Sequence, residues 1–283
     1  MSKYLLLFLL LYANILCAQE SGKTPSNTTR PFILGVVEEI KSIELNENRL
    51  LNVYLPDGYN EKDTLRYPVI YLLDGSADED FIHIVGLVQF NSFEWVNVVP
   101  KSIVVGIANI DRRRDFTFPA TVEQHRKDYP TTGGSSKFIN FIEKELQPFI
   151  EKKYKTNSSK TIIGQSLGGL LATEILFNKP HLFQKYIIIS PSLWWDNGSI
   201  LDKNLPYLRD TYVYIGVGKE GLAPTTIPRV MEVDANVLAD KIKKVNKNGI
   251  VYFDFLPYEN HGNIMHQAVY NAMKKLYKSN SQK

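Results

Sequence analysis

The chain has 283 residues, with 33 Lys and Arg against 30 Asp and Glu, 44% hydrophobic and 12% aromatic residues. This composition is that of a globular chain able to bury its own core, and it excludes disordered, collagen-like and coiled-coil classes. A net charge of +3, spread evenly along the sequence, lacks the clustered basic face that nucleic-acid binding requires.

The first residues, MSKYLLLFLLLYANILCAQE, place Lys3 ahead of an apolar run from Tyr4 to Leu16 and the small residue Ala18 before Gln19 and Glu20. The pattern predicts a secretory signal peptide over residues 1–18, and hence a periplasmic or secreted protein. The run is too short to span a membrane, which takes about 20 apolar residues. Cleavage after Ala18 removes Cys17, the single cysteine, and with it any disulfide, cysteine nucleophile or thiolate metal site. The competing reading is a lipoprotein anchored through Cys17, against which stands Leu16 where a small residue normally precedes a lipidated cysteine. Residues 19–29 predict a flexible leader and residues 30–280 one domain, with no internal linker or repeat.

Ile33 to Leu45 and Leu50 to Leu55 predict a hairpin, followed by turn chemistry at Asp57, Gly58, Tyr59 and Asn60. Short apolar runs then recur at Pro68–Leu73, Ser102–Ile107, Thr161–Ile163, Tyr186–Ile189 and Tyr212–Val217, as in strands covered on both faces, and Ile250–Leu256 adds another. Helical spacing marks Lys137–Tyr154, bent at Pro148, together with Leu167–Asn178, Glu232–Asn246 and Asn263–Lys278. The alternation predicts an α/β fold, a doubly wound and mostly parallel sheet with helices on both faces. Gly133 and Gly134 lack the spacing and the Lys of a phosphate loop, so no nucleotide cofactor is indicated.

The chemistry is carried by KTIIGQSLGGLLATEIL, where a strand runs through Gly164, Gln165, Ser166, Leu167 and Gly168 into a helix. This G-x-S-x-G arrangement lifts a serine out of the sheet on a strained turn and sets it at a helix N-terminus. Ser166 is the expected nucleophile, and the Leu167 N–H an oxyanion donor. In the order serine, acid, histidine, His83 and His125 fall too early, His181 lies close to the elbow and His266 lies inside the last helix. His261, in the loop after Ile250–Leu256, is the expected general base. The acid should follow YVYIGVG, where Glu220 is the choice, with Glu232 and Asp234 as alternatives. The second oxyanion amide is expected after PVIYLL, at Gly75 or Ser76, with Asp74 as a turn residue bonding local amides.

In order along the chain, YLLDG, VVGIANIDRRRDFTFP, GQSLGG, SPSLWW and ENHG resemble the putative esterase family. That family is similar in fold to esterase D, feruloyl esterases, siderophore trilactone esterases and mycolyltransferases. The resemblance covers Arg30 to Tyr277 and implies an α/β-hydrolase fold with Ser166 and His261 as catalytic residues; its acid position matches Glu220 by placement. Arg112, Arg113 and Arg114 could hold a carboxylate or, as in trilactone esterases, a catecholate, or else pair with Asp111 and Asp115. Trp194 and Trp195 could stack on a sugar or an aromatic acyl group, or wall the pocket. The expectation is an exported serine ester hydrolase acting on a small-molecule or polysaccharide-linked ester, needing no metal or organic cofactor. Acyl transfer through the same acyl-enzyme and a non-catalytic binding role are the alternatives.

Overall fold

The computed structural model describes residues 29–277 except Thr226. The expected signal segment with Cys17, most of the expected leader and Lys278 lie outside the described residues. From Gly35 onward the chain is one compact unit. Eight strands make a single sheet: β1 (Val36–Ser42), β2 (Glu47–Tyr54), β3 (Tyr67–Leu72), β4 (Ile103–Ile107), β5 (Thr156–Gln165), β6 (Lys185–Ile189), β7 (Tyr212–Gly218) and β8 (Ile250–Leu256). Their spatial order is β1, β2, β4, β3, β5, β6, β7, β8. β2 runs antiparallel to both β1 and β4, and every other neighbouring pair is parallel.

The central strands are short β-branched runs such as YPVIYL and IVVGI, with every residue buried. They need cover on both faces. It comes from α1 (Phe81–Asn91), α2 (Arg112–Phe116), α3 (Glu123–Asp128), α4 (Ser135–Lys153), α5 (Leu167–Asn178), α6 (Met231–Val245) and α7 (Ile264–Leu276). Within α4 the expected bend falls at Ile142–Leu146, a wide π turn just before Pro148. Pro148 has no N–H, and its ring displaces the carbonyl one turn earlier, so the distortion sits N-terminal to the proline.

Two differences from the sequence expectation bear on the site. The strand expected at Thr161–Ile163 begins at Thr156, where it pairs with β3. Helices α1, α2 and α3 have no counterpart in the periodicity: α1 reads FIHIVGLVQFN, apolar nearly all round, and α2 and α3 are only 5 and 6 residues long. Among the described residues no helix is long and apolar enough to cross a membrane. The loops leaving the carboxyl ends of β3 to β8 gather along one rim of the sheet, where an open α/β sheet presents its chemistry.

Candidate active site

At the end of β5 the backbone turns sharply, and Ser166 sits at φ 58°, ψ −118°. Such a conformation costs a non-glycine residue on the order of 1–3 kcal/mol. Hydrogen bonds hold it: Ser166 N–H donates to Ile189 O at 3.0 Å, and its carbonyl accepts from Leu170 at 2.9 Å and Ser192 at 3.0 Å. Gly164 is required by crowding, since a Cβ there would lie 2.4 Å from Gly168 O. At Gly168 the nearest atom to an added Cβ is Asp74 Oδ2 at 3.3 Å, a tight fit rather than a collision. Leu167 opens α5, so its N–H is among the first-turn amides that the helix cannot itself satisfy.

The sheet register brings the next two residues together. β7 and β8 pair from Tyr212 with Ile250 to Gly218 with Leu256, so their loops leave side by side. Lys219 N–H donates to Glu259 O at 2.8 Å, and a Cβ on Gly218 would lie 2.7 Å from that same oxygen. Across this seam His261 Nδ1 lies 2.6 Å from Glu220 Oε2, with the carboxylate 4% exposed and the imidazole 46%. The Gln165 amide, next to the serine, donates to His261 O and ties this loop to the elbow. The other carboxylate oxygen of Glu220 accepts from Ser190 Oγ and from Gly218 N–H at 3.3 Å. Burial pushes the Glu220 pKa up, but the hydrogen bonds from His261 and Ser190 outweigh it and hold the carboxyl below its usual range.

Glu232 and Asp234 are engaged elsewhere. Glu232 Oε1 accepts from the backbone N–H groups of Glu220 at 2.8 Å and Gly221 at 3.0 Å, fixing the loop that carries Glu220. Asp234 makes a two-point pair with Arg229, at 2.7 and 2.9 Å, and Arg229 reaches on to Asn197 O at 3.0 Å.

Ser166, Ser192, Trp194, Glu220 and His261 share a cleft of about 380 Å³ whose apolar wall is Leu222, Pro224 and Met231. Ser166 Oγ lies 3.2 Å from Ser192 Oγ, and this, rather than a bond to the imidazole, is its side-chain hydrogen bond. A second cleft of about 220 Å³ opens on the other side of Ser166, lined among others by Arg112, Arg113, Tyr129, Trp194 and Trp195. Trp194 borders both clefts.

Several expected site residues stand differently. Gly75 N–H donates to Ile107 O at 3.0 Å, extending the β3–β4 pairing, and Ser76 N–H faces Glu79 Oε2 at 3.2 Å. Neither amide is free for an oxyanion. Asp74, at φ 54°, bonds side chains rather than local amides. Its carboxylate takes Arg112 Nε at 2.6 Å and Nη2 at 2.9 Å, and Asn109 Nδ2 at 2.7 Å. Arg112 Nη2 also reaches Gln165 O at 3.3 Å, so this guanidinium is clamped beside the elbow. Burial disfavours its charge, but the bonds and charge of Asp74 raise its pKa nonetheless.

Arg114, expected at the substrate, points away: it pairs with Glu47 at 2.6 Å and Asp115 at 2.8 Å. Asp115 and the fully buried Arg49 complete that cluster and pin α2 to β2. Arg113 makes no ion pair among the described residues and lies over the Tyr129 ring at 5.1 Å in the smaller cleft. Trp195 is 1% exposed, donates from Nε1 to Phe118 O at 2.9 Å and stacks on buried His125 at 5.1 Å. It supports the wall rather than offering a free face. Ser190 and Ser192, in the SPSLWW segment straight after β6, are part of the family resemblance but were given no role of their own.

A serine at the head of the helix after a central strand, with an imidazole and a carboxylate paired on the loops of the last two strands, defines the α/β-hydrolase class. Residues 42–256 match the Putative esterase family, and the chain belongs to it. The chain is a carboxylic-ester hydrolase. Ferri-bacillibactin esterase BesA of Bacillus subtilis is 32% identical over 198 residues, 65% of this chain and 68% of that protein. Among solved structures, an IroE-like serine hydrolase from Shewanella oneidensis is 32% identical with a TM-score of 0.74, covering 86% of this chain and 80% of that one. The BES protein of Bacillus cereus superposes with a TM-score of 0.74 at 28% identity, over 90% of this chain and all 100% of that one.

Proposed function

We propose that this protein is an exported serine esterase in which Ser166 is the nucleophile, His261 the general base and Glu220 the acid that orients it. The observation that carries the reading is the 2.6 Å contact between His261 Nδ1 and Glu220 Oε2 in the cleft shared with Ser166. With Nδ1 held by a carboxylate that stays ionised, Nε2 is the nitrogen that takes the serine proton. The hydroxyl turns from Ser192 to Nε2 and attacks the ester carbonyl. The imidazolium returns the proton to the leaving alkoxide, and water then resolves the acyl-enzyme by the same route. The negative oxygen is held by Leu167 N–H and by Arg112, whose Nη1 carries no hydrogen bond among the described residues. Arg112 replaces the amide expected at Gly75 or Ser76.

For substrate, we propose an ester of siderophore type, as the name of the Bacillus subtilis relative says of that protein. Arg113, which makes no ion pair among the described residues and lies over Tyr129, would meet an anionic aromatic acyl group in the smaller cleft. Residues 1–18 would serve as the export signal.

The test compares residues 19–283 with the Ser166→Ala variant on p-nitrophenyl acetate and on a catecholate trilactone, with a serine-directed phosphonate as label. Activity and labelling present in the wild type and absent in the variant are expected. An inactive wild type that the phosphonate also leaves unlabelled would overturn the proposal in favour of a binding protein.

A further inference from the structure

We propose that the protein carries a second binding site, distinct from the catalytic cleft, for a neutral glycan chain, built on Trp95 at the far end of α1. α1 starts at the catalytic rim just after the Asp74 loop and runs about 16 Å at 1.5 Å per residue, so its C-terminal loop lies at the opposite end of the sheet from Ser166. There Trp95 is 80% exposed, and its ring stacks on Phe93 at 4.6 Å and 23°. Phe90 packs edge-on against Phe93 at 6.0 Å. An indole left this open forgoes the stabilisation that burying its apolar area would bring.

The presentation is built rather than loose. Val96 and Asn97 donate to Phe93 O at 2.9 and 2.8 Å, closing a turn around the tryptophan. Val98 and Val99 donate to the carbonyl of buried Asn91 at 2.9 and 3.1 Å, and the Asn91 side chain is anchored on Leu87 O at 2.8 Å.

The platform borders a cleft of about 150 Å³ whose other lining groups include Asp57, Gln89, Ser92, Glu94 and Lys101. A flat aromatic face beside carboxylate, amide and hydroxyl groups matches a pyranose ring, which offers an apolar C–H face and a rim of hydroxyls that both donate and accept. A lipid or purely apolar partner would strip water from Asp57 and Glu94 without replacing their hydrogen bonds. The same two carboxylates repel uronates, sulfated sugars and phosphate backbones. Lys101, whose ammonium donates to the Asp57 backbone carbonyl at 2.9 Å, offsets one of the two carboxylates and leaves the lining net negative. The occupant is therefore a neutral sugar chain. The site lets a glycan be held while the catalytic cleft is free, and it is independent of which residues perform the hydrolysis.

The experiment titrates residues 19–283 with hexasaccharides of β-1,4-glucose, β-1,4-xylose, β-1,3-glucose and β-1,4-N-acetylglucosamine, following tryptophan fluorescence and heat. The expected result is saturable binding of at least one, weakened about tenfold or more in Trp95→Ala and partly retained in Trp95→Phe. Both variants keep wild-type hydrolysis of p-nitrophenyl acetate, which shows that they are folded. The chain's other two tryptophans, Trp194 and Trp195, lie by the catalytic cleft, so a signal unchanged in Trp95→Ala places the sugar there and overturns the proposal. Absence of binding by all four sugars also overturns it. So does a Trp95-dependent association with phosphatidylcholine vesicles in place of sugar binding.

Discussion

The two flanks of Ser166 are built on the same plan and differ in one respect. On each, a poorly exposed carboxylate grips a nitrogen-bearing side chain beside the elbow: Glu220 holds His261 and Asp74 holds Arg112. Arg112 is charged at every working pH and bound at two points, whereas His261 is held through one nitrogen with its other available for a proton. One flank is thus a fixed charge suited to stabilising an oxyanion, and the other a group that can gain and lose a proton. A serine hydrolase needs both functions and cannot draw them from the same residue.

Removing the proton-transfer flank should produce the largest effect. His261→Ala is expected to lower kcat by about 10⁴-fold, and Glu220→Gln by about 10³ to 10⁴-fold, each with little change in KM. Steady-state kinetics on p-nitrophenyl butyrate would decide it, and a Glu220→Gln enzyme within tenfold of wild type would remove the acid from that residue. On the fixed-charge flank, Arg112→Gln should lower kcat by about 10² to 10³-fold. Arg114→Gln, two residues on in the same short helix, should leave kcat within about twofold and instead lower Tm, because it strips a partner from buried Asp115. If the two arginine variants exchanged phenotypes, the contrast between the flanks would collapse.

That arginine pair also shows where the sequence was legible. Residues two apart on a helix point in different directions, so Arg112 and Arg114 cannot both face the cleft once α2 forms. But α2 is only 5 residues long and has no periodicity to announce it. The elbow was readable because its parts are contiguous: a strand, Gly164, Ser166, then a helix. His261 was readable because chain order and its place after a strand left no other histidine. The parts that could not be read depend on pairing between distant segments. Asp74 and Arg112 are 38 residues apart. Gly75 was expected to have a free amide because nothing local reveals that the β3–β4 pairing continues past Leu72 to Ile107. Glu220 was the first choice by its place after a strand, but only the β7–β8 register sets it beside His261 and gives Glu232 and Asp234 other partners.

Glu232 offers a finer cut through the same comparison, because it touches the backbone of Glu220 and not its carboxylate. Glu232→Gln keeps an acceptor for the Glu220 and Gly221 amides but weakens those bonds by removing the charge. The expected result is a fall in kcat of about tenfold, with a smaller loss than Glu220→Gln and an unchanged KM for a small ester. An effect as large as that of Glu220→Gln would make Glu232 part of the proton-transfer flank rather than its support.

The smallest expected effect is on stability, and its sign follows from the same hydrogen bonds. The Glu220 pKa in the folded protein lies below its ordinary value, which for an unfolded chain is about 4.3. Between the folded and unfolded values the unfolded state binds more protons, so acid favours unfolding there. The contribution of this carboxylate is therefore fully present above the unfolded value and is lost as pH falls through the folded one. Burial would raise the pKa of Glu38, Glu143 and Asp196 as well, but hydrogen bonds from Lys153 and Tyr154, from Lys179 and His181, and from Val122 and Thr121 outweigh it and lower all three, and these contributions are common to wild type and variant. They cancel when wild type is compared with Glu220→Gln. Calorimetric Tm measured from pH 7 down to pH 3 should show a wild-type advantage of a few degrees near neutrality that closes on the acid side. Two parallel curves for wild type and Glu220→Gln would mean that the His261 and Ser190 bonds do not hold Glu220 ionised, and with that the difference between the flanks would lose its electrostatic basis.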